Sequence, residues 1–309
     1  MRHAAIISGT LAIAAGGTVL LFNRFDSPIP QPVSITIAPI KPTTNIKRPA
    51  SPLPPEDVAK SLSEVSGEAH TVALDEIIGW IKNQQVLTEE DRETLLAYIS
   101  QAKPGTLKAG EWEERVNEIL NFLRGQPGGA PGLADLLRRI VVDDPDPVMR
   151  MYALQHLSMW VPDEPVAENR AAMIALLKRL AETPGDPLAG SAVLFLDDLS
   201  RNPSLADVEK VATEVIETQA LRLVGSTTSK PDVRITALHT CAARGMKDAA
   251  PAARSIAADN SLMIPLRKAA IYSLGELGSS EDRALLESLA SSDPTLAEAA
   301  RPALKRLRH

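Results

Sequence analysis

The residues of this chain that could act as a general acid and base are its clustered carboxylates. Acids stand side by side at Asp143-Asp144, at Asp197-Asp198 and at Glu89-Glu90-Asp91. Adjacent residues diverge by about 100° around a helix, so such neighbours do not converge on one substrate atom. Each cluster also falls where a helix cap or a solvated helix face is expected. We therefore predict no catalytic residues among them.

The side chains that could bind a metal or act as a nucleophile also lack the spacing that such chemistry requires. His70, His156 and His239 lie far apart, and none has a Cys or an acid pair at metal-ligand spacing. The single cysteine, Cys241, sits at an apolar helix position, where a small buried hydrophobe is expected rather than a reactive thiol. No Gly-x-Ser-x-Gly, phosphate-binding glycine loop or His-Glu-x-x-His motif occurs. The sequence predicts no catalytic, cofactor-binding or metal-binding residue, and no cofactor.

The large aromatic residues that a binding groove could use are Trp80, Trp112 and Trp160. Trp80 follows two isoleucines and is predicted to be a core residue. Trp160 precedes Val161-Pro162 at a helix end, where it could cap a ridge or face a partner. The sequence assigns no partner-binding residue.

One helical pattern returns five times from residue 150 onward. A cation or Ala is followed three residues later by Ala and four residues after that by an apolar residue, as in Arg267, Ala270 and Leu274. These offsets fall on one side of a helix, so each copy predicts a helix with a buried stripe. The central alanines are Ala153, Ala192, Ala237, Ala270 and Ala300, which lie 39, 45, 33 and 30 residues apart. Each interval has room for a second, antiparallel helix, so the sequence predicts an all-α fold, an α-solenoid of helix pairs.

Helix-boundary signals agree with this pattern. The expected starts are an acid before a proline or a Ser/Thr three residues before an acid, and they occur at Asp146, Asp186, Asp293, Thr88 and Ser204. The expected ends are glycines, at Gly245, Gly275 and Gly278. Residues 56–145 contain further amphipathic stretches with less regular spacing. We interpret them as an irregular N-terminal part of the solenoid, followed by regular repeats over 146–309.

The stretch from Lys230 to Leu307 resembles HEAT repeats. Pro231-Asp-Val-Arg-Ile-Thr-Ala-Leu and Leu266-Arg-Lys-Ala-Ala-Ile-Tyr-Ser-Leu-Gly-Glu-Leu-Gly are similar to the family's first-helix signatures. The segments that begin at Lys247 and Ser280 are similar to its second helices. The resemblance weakens back to Asp146. It implies an α-solenoid whose inner surface usually holds another macromolecule, and it names no partner.

Arginine recurs at one position of the pattern, as Arg150, Arg234 and Arg267. These three residues could form a cationic ladder for phosphate or acidic peptide. The HEAT resemblance implies instead that each Arg bonds to the neighbouring unit, with Asp146 and Asp232 as nearby acceptors. We favour the structural role.

The charge of the chain limits its partners. The formal net charge is −6, and from Glu56 to the end the chain has 28 Lys and Arg against 38 Asp and Glu. Nucleic-acid binding needs a concentrated cationic footprint, so a nucleic-acid partner is not expected over the whole surface. A protein partner fits better.

Residues 1–26 are predicted to form an N-terminal membrane anchor. The stretch from Ala4 to Phe22 has no charge, and nineteen helical residues span about 28 Å, close to the thickness of a bilayer core. A cleaved signal peptide with a site near Ala12-Ile13-Ala14 is the alternative, although the apolar run continues past it. Arg2 and the amino group favour a cytoplasmic N-terminus and hence a body outside the cytoplasmic membrane, in a periplasm where the cell has one.

Residues 27–55 are predicted to be an extended linker. They include nine prolines, and their only charges are Lys41, Lys47 and Arg48. Val33, Ile35 and Ile37 alternate with polar residues, so this run could instead pair with a neighbour's sheet edge, which would make the protein a structural element of an envelope complex.

Together these features predict a membrane-tethered, non-enzymatic scaffold for a protein partner of unknown identity, with the HEAT-like body outside the cytoplasmic membrane. The alternative is a HEAT-like enzyme or nucleic-acid-binding module at the cytoplasmic face, because some HEAT-like proteins are DNA glycosylases or bilin lyases.

Overall fold

A computed structural model of the chain describes residue 79, residues 86–100 and residues 110–307. The predicted anchor, the predicted linker and Trp80 lie outside these residues. Within them the chain forms helices and no β-strand. Among the described helices, none has both the length and the hydropathy that crossing a bilayer requires.

The structure describes the α-helices of residues 86–100 and 110–307, and from Glu111 onward short connections join them. In chain order they are α1 (Glu89–Ile99), α2 (Glu111–Arg124), α3 (Leu133–Asp143), α4 (Pro147–Trp160), α5 (Ala167–Ala181), α6 (Ala189–Ser200), α7 (Ala206–Gly225), α8 (Pro231–Arg244), α9 (Ala250–Ala258), α10 (Ile264–Leu277), α11 (Arg283–Ser292) and α12 (Pro294–Arg306). Short 3-10 turns, at Pro203–Leu205, Lys247–Ala249 and Ser280–Asp282, precede α7, α9 and α11.

The helices stack as repeated pairs. The first helices α2, α4, α6, α8, α10 and α12 each contact the next member of that series. The second helices α3, α5, α7, α9 and α11 each contact the first helix of the following unit. A continuous buried core runs through these layers. This is the all-α stacking of helix pairs that the repeat pattern predicts.

The alanine of each repeat lies in the buried core of the stack. Ala153, Ala192, Ala237, Ala270 and Ala300 all have no exposed surface. The apolar residue four positions later is also fully buried in four of the repeats, including Cys241. Burial raises the pKa of the Cys241 thiol to about 12, so it remains a neutral core group, as predicted.

Several helix starts match their predicted caps. Thr88 and Asp91 form a reciprocal capping box before α1, with Thr88 N donating to Asp91 Oδ2 at 2.9 Å. The carboxylates of Asp146 and Asp293 accept from backbone amides at the starts of α4 and α12. These interactions satisfy amide groups that a helix leaves free in its first turn.

Three boundary predictions were wrong. Asn202, not Ser204, caps the turn before α7, because its side chain accepts from the Ser204 amide. Asp186 accepts from Leu188 N at 2.8 Å, but α6 begins only at Ala189. Gly275 lies inside α10 rather than at its end.

Gly275 serves close helix packing instead. A Cβ atom at this position would lie 2.8 Å from Cα and 3.0 Å from Cβ of Ala303 in α12. In the same way, a Cβ at Gly190 of α6 would lie 2.9 Å from the carbonyl oxygen of Val233 in α8. At these two points neighbouring first helices approach to backbone contact, which only glycine permits.

Gly275→Ala should therefore destabilise the protein, although alanine normally stabilises a helix interior relative to glycine by about 1 kcal/mol. Because the nearest atoms belong to the backbone of α12, we expect a net loss of about 1–3 kcal/mol in the free energy of unfolding. Gly225→Ala is the matched control: Gly225 is the last residue of α7, and a Cβ there meets nothing within 4 Å. Chemical denaturation measures the free energy of unfolding of both variants. Equal effects of the two substitutions would contradict the packing assignment.

Candidate partner-binding surfaces

The recurrent arginines bind backbone carbonyls of the preceding unit. Arg150 Nε donates to Val141 O at 2.7 Å, Arg234 Nε to Val224 O at 3.1 Å and Arg267 Nε to Ala257 O at 3.1 Å. Each acceptor lies in the last turn of a second helix, where carbonyls lack intrahelical partners and the helix dipole favours a cation.

The same arginines carry further contacts between units. Arg150 also pairs with Asp186 Oδ2 at 2.9 Å. Arg267 is only 4% exposed. Burial lowers the pKa of Arg234, although the nearby Asp259 charge opposes this shift. These arginines are therefore structural, as favoured from the sequence, and their acceptors are helix-end carbonyls and Asp186 in place of Asp146 and Asp232.

The described tryptophans belong to the core. Trp112 is 3% exposed, and its ring is tilted against that of Tyr98 at 5.3 Å between centroids. Trp160 is also 3% exposed, and its indole N–H donates to Glu164 Oε2 at 2.7 Å. Its ring lies against Gly129, where a Cβ would come within 2.1 Å of the indole. Neither residue is available to a partner.

His156 is a buried histidine with one hydrogen bond. It is 2% exposed, and its Nε2 lies 2.9 Å from Asn117 Oδ1 of α2. Its Nδ1 has no hydrogen-bond partner among the described residues. Burial and the nearby charge of Arg124 lower the pKa of His156 to about 4. In the described part of the chain, no group of His, Cys, Asp or Glu could hold a metal ion.

Long stretches of three successive first helices carry no charged side chain. Residues 151–160 of α4, 189–196 of α6 and 235–243 of α8 contain no Asp, Glu, Lys or Arg. We call the solvent-facing side of these stretches the uncharged face. Partly exposed on it are the side chains of Tyr152, Leu194, Ile235 and His239, together with Met159, which is 45% exposed.

Charged side chains border the uncharged face on both sides. On the α2 side the border is Glu114, which is exposed, whereas its neighbour Glu113 is buried. Burial and the charges of both acids raise the pKa of Tyr152. Beyond α8, ion pairs connect α10 with α12, including Lys268 with Glu298 at 3.0 Å. An apolar area with a polar border is the usual anatomy of a protein contact surface.

A separate polar cleft of about 590 Å³ opens where α6 and α8 end against α7. On one wall Arg201 and Arg244 share the carboxylate of Asp197. Arg201 Nη2 lies 2.8 Å from Asp197 Oδ2, and Arg244 also donates to the Ser200 hydroxyl. On the other wall Glu209, Thr213 and Glu217 line the cleft from α7.

The acid clusters do not behave alike. Asp197 is 4% exposed and so is not the surface residue that its cluster suggested. The sequence offered one local indication of this buried carboxylate: Arg201, four residues later, forms an i, i+4 ion pair with it. Its second partner, Arg244, is 47 residues away in the chain and only the fold brings it near. Asp144 and Asp91 accept hydrogen bonds at helix starts, as predicted for caps.

Comparison with known families supports the HEAT resemblance for the C-terminal part. Residues 219–305 match the family model of HEAT repeats. They run from the end of α7 through most of α12, and this part of the chain is HEAT-like. A comparison with curated proteins found no match.

Solved structures with some similarity include two engineered proteins and one human enzyme. The first engineered protein has 14% identity and a TM-score of 0.40, over 82% of this chain and 67% of that chain. The second has 15% identity and a TM-score of 0.36, over 82% and 99%. Human deoxyhypusine hydroxylase, in complex with glycerol, has 16% identity and a TM-score of 0.29, over 82% and 95%.

His156 predicts a pH dependence of stability. Its pKa is about 4 in the folded protein against about 6.5 in the unfolded chain. The unfolded chain therefore binds the proton first as the pH falls, and stability is lost between pH 6.5 and pH 4, by about 3 kcal/mol from this residue. In His156→Gln, denaturation midpoints should fall less steeply over this interval. An unchanged slope in the variant would contradict the assignment.

Proposed function

We propose that this protein is a membrane-tethered scaffold whose HEAT-like body holds a protein partner outside the cytoplasmic membrane. The stacking of helix pairs fits a protein-interaction role, since stacked repeats display an extended surface that a partner can contact. The observation that carries the proposal is the uncharged face on α4, α6 and α8.

The chemistry of this face favours protein over nucleic acid. Phosphate contacts require cations, and the recurrent arginines that could have supplied them are bound to backbone carbonyls. Half-buried apolar and aromatic groups such as Tyr152, Leu194 and Ile235 suit an apolar segment of a partner protein. We therefore assign the contact to these helices.

The tether rests on the sequence of the first 55 residues. An uncharged stretch of nineteen residues, followed by a proline-rich segment, would keep the contact surface near the bilayer and raise its effective concentration there. Few charges flank the apolar stretch, and Arg2 with the amino terminus favours an N-terminus in the cytoplasm. The body would then lie on the opposite side.

Site-specific photocrosslinking in intact cells tests the proposal. A photoreactive amino acid at position 194, on the uncharged face, should give a protein adduct. The same group at position 179 is the control, because Arg179 is exposed on the second helix α5 and lies outside this face. An adduct at neither or at both positions would contradict the contact assignment.

A fusion to alkaline phosphatase tests the location. This enzyme is active only outside the cytoplasm, so a fusion after His309 in a parallel strain should be active. An inactive fusion would contradict the location.

A further inference from the structure

The polar cleft has one wall with a fixed excess of positive charge. Arg201 and Arg244 share a single carboxylate, Asp197, which is 4% exposed. Asp197 neutralises one of the two guanidinium groups, so this wall keeps one net positive charge. A common buried acceptor also fixes the direction of both guanidinium planes, which pre-organises them for a further carboxylate.

The facing wall is negative. Glu209, Thr213 and Glu217 are spaced by four residues and therefore share one face of α7. Two helical turns separate the glutamates, so their Cα atoms stand about 12 Å apart along the helix axis. Both glutamate side chains are exposed, and among the described residues no ion pair joins them to the arginines across the cleft. The two walls thus hold opposite charges over an open gap.

This arrangement favours ligands that carry both signs of charge over ligands that carry only one. A phosphate chain would meet the glutamates, and a purely basic peptide would meet the arginines. Cations at helix C-termini have a structural role of their own, because they offset the helix dipole at the ends of α6 and α8. That role explains the sign of the arginine wall, but it does not account for the carboxylates on the facing helix.

We propose that the polar cleft binds an extended peptide segment in which two basic residues stand four positions apart, with acidic residues between them on the opposite side. Side chains of an extended chain alternate between its two sides, and residues i and i+4 on one side lie about 13 Å apart. This distance matches Glu209 and Glu217, while acids at i+1 and i+3 face Arg201 and Arg244. The cleft volume, about 590 Å³, lies within the range of small-ligand sites.

Fluorescence anisotropy with purified full-length protein in detergent tests this proposal. The probe is a fluorescein-labelled peptide with the core Lys-Asp-Ser-Asp-Lys, capped at both ends and flanked by Gly-Ser. The comparison peptides have the cores Lys-Ser-Ser-Ser-Lys, Ser-Asp-Ser-Asp-Ser and Asp-Lys-Ser-Lys-Asp. We expect saturable binding of the first peptide, weaker binding of the other three, and a decrease in affinity with added salt.

Variants of the cleft identify the site. Glu209→Gln combined with Glu217→Gln should weaken binding by about tenfold, because two charge pairs are lost. Arg201→Gln should weaken it by a smaller factor, since Arg244 remains. Glu214→Gln is the matched control for the glutamates, because Glu214 is exposed on the same helix and does not line the cleft. Arg179→Gln is the control for Arg201→Gln, because Arg179 is exposed and does not line the cleft.

All five substituted positions are partly or fully exposed, so unchanged helical circular dichroism should accompany these effects. The proposal is overturned if no peptide binds saturably, if the four peptides bind alike, or if the control variants weaken binding as much as the cleft variants do. These outcomes do not bear on the proposed partner contact at the uncharged face on α4, α6 and α8, because the two sites share no residue.

Discussion

The close approach of successive first helices is the constraint on which the rest of this structure depends. At Gly190 and Gly275 the neighbouring helix lies so near that a single added carbon would contact its backbone. The repeat alanines, which belong to the same series of first helices, are fully buried. Small residues at these points let each unit bury its apolar stripe against the next, which a lone helix pair could not do.

Such packing leaves the ends of the second helices close to the starts of the following first helices. The arginines at these starts satisfy the free carbonyls at those ends, so one side chain both caps a helix and joins two units. The polar cleft has a related origin, because Asp197 near the end of α6 and Arg244 at the end of α8 come from adjacent units and meet only when these are stacked. The uncharged face likewise belongs to three units together. Both candidate contact surfaces are therefore properties of the stack.

Much of the fold could be predicted because its determinants are local and periodic. The burial of Ala237 and Cys241 follows from helical offsets of three and four, and the cap at Asp146 follows from an acid before a proline. Gly275 was misread as a helix end because its role depends on Ala303 in another helix. The burial of Asp197 and the polar cleft were missed for the same reason. The residues that form these sites are tens of positions apart in the chain, and no local spacing brings them together.

The most direct test of this account replaces each buried repeat alanine by leucine, one position at a time, and measures the loss of stability. The control is Ala243→Leu on the exposed side of α8. The five test positions are Ala153, Ala192, Ala237, Ala270 and Ala300. The measured quantity is the change in the free energy of unfolding by chemical denaturation. Overpacking the core should cost about 1–3 kcal/mol at each of the five positions, and Ala243→Leu should be near neutral. Costs at the five positions no larger than at Ala243 would contradict the account.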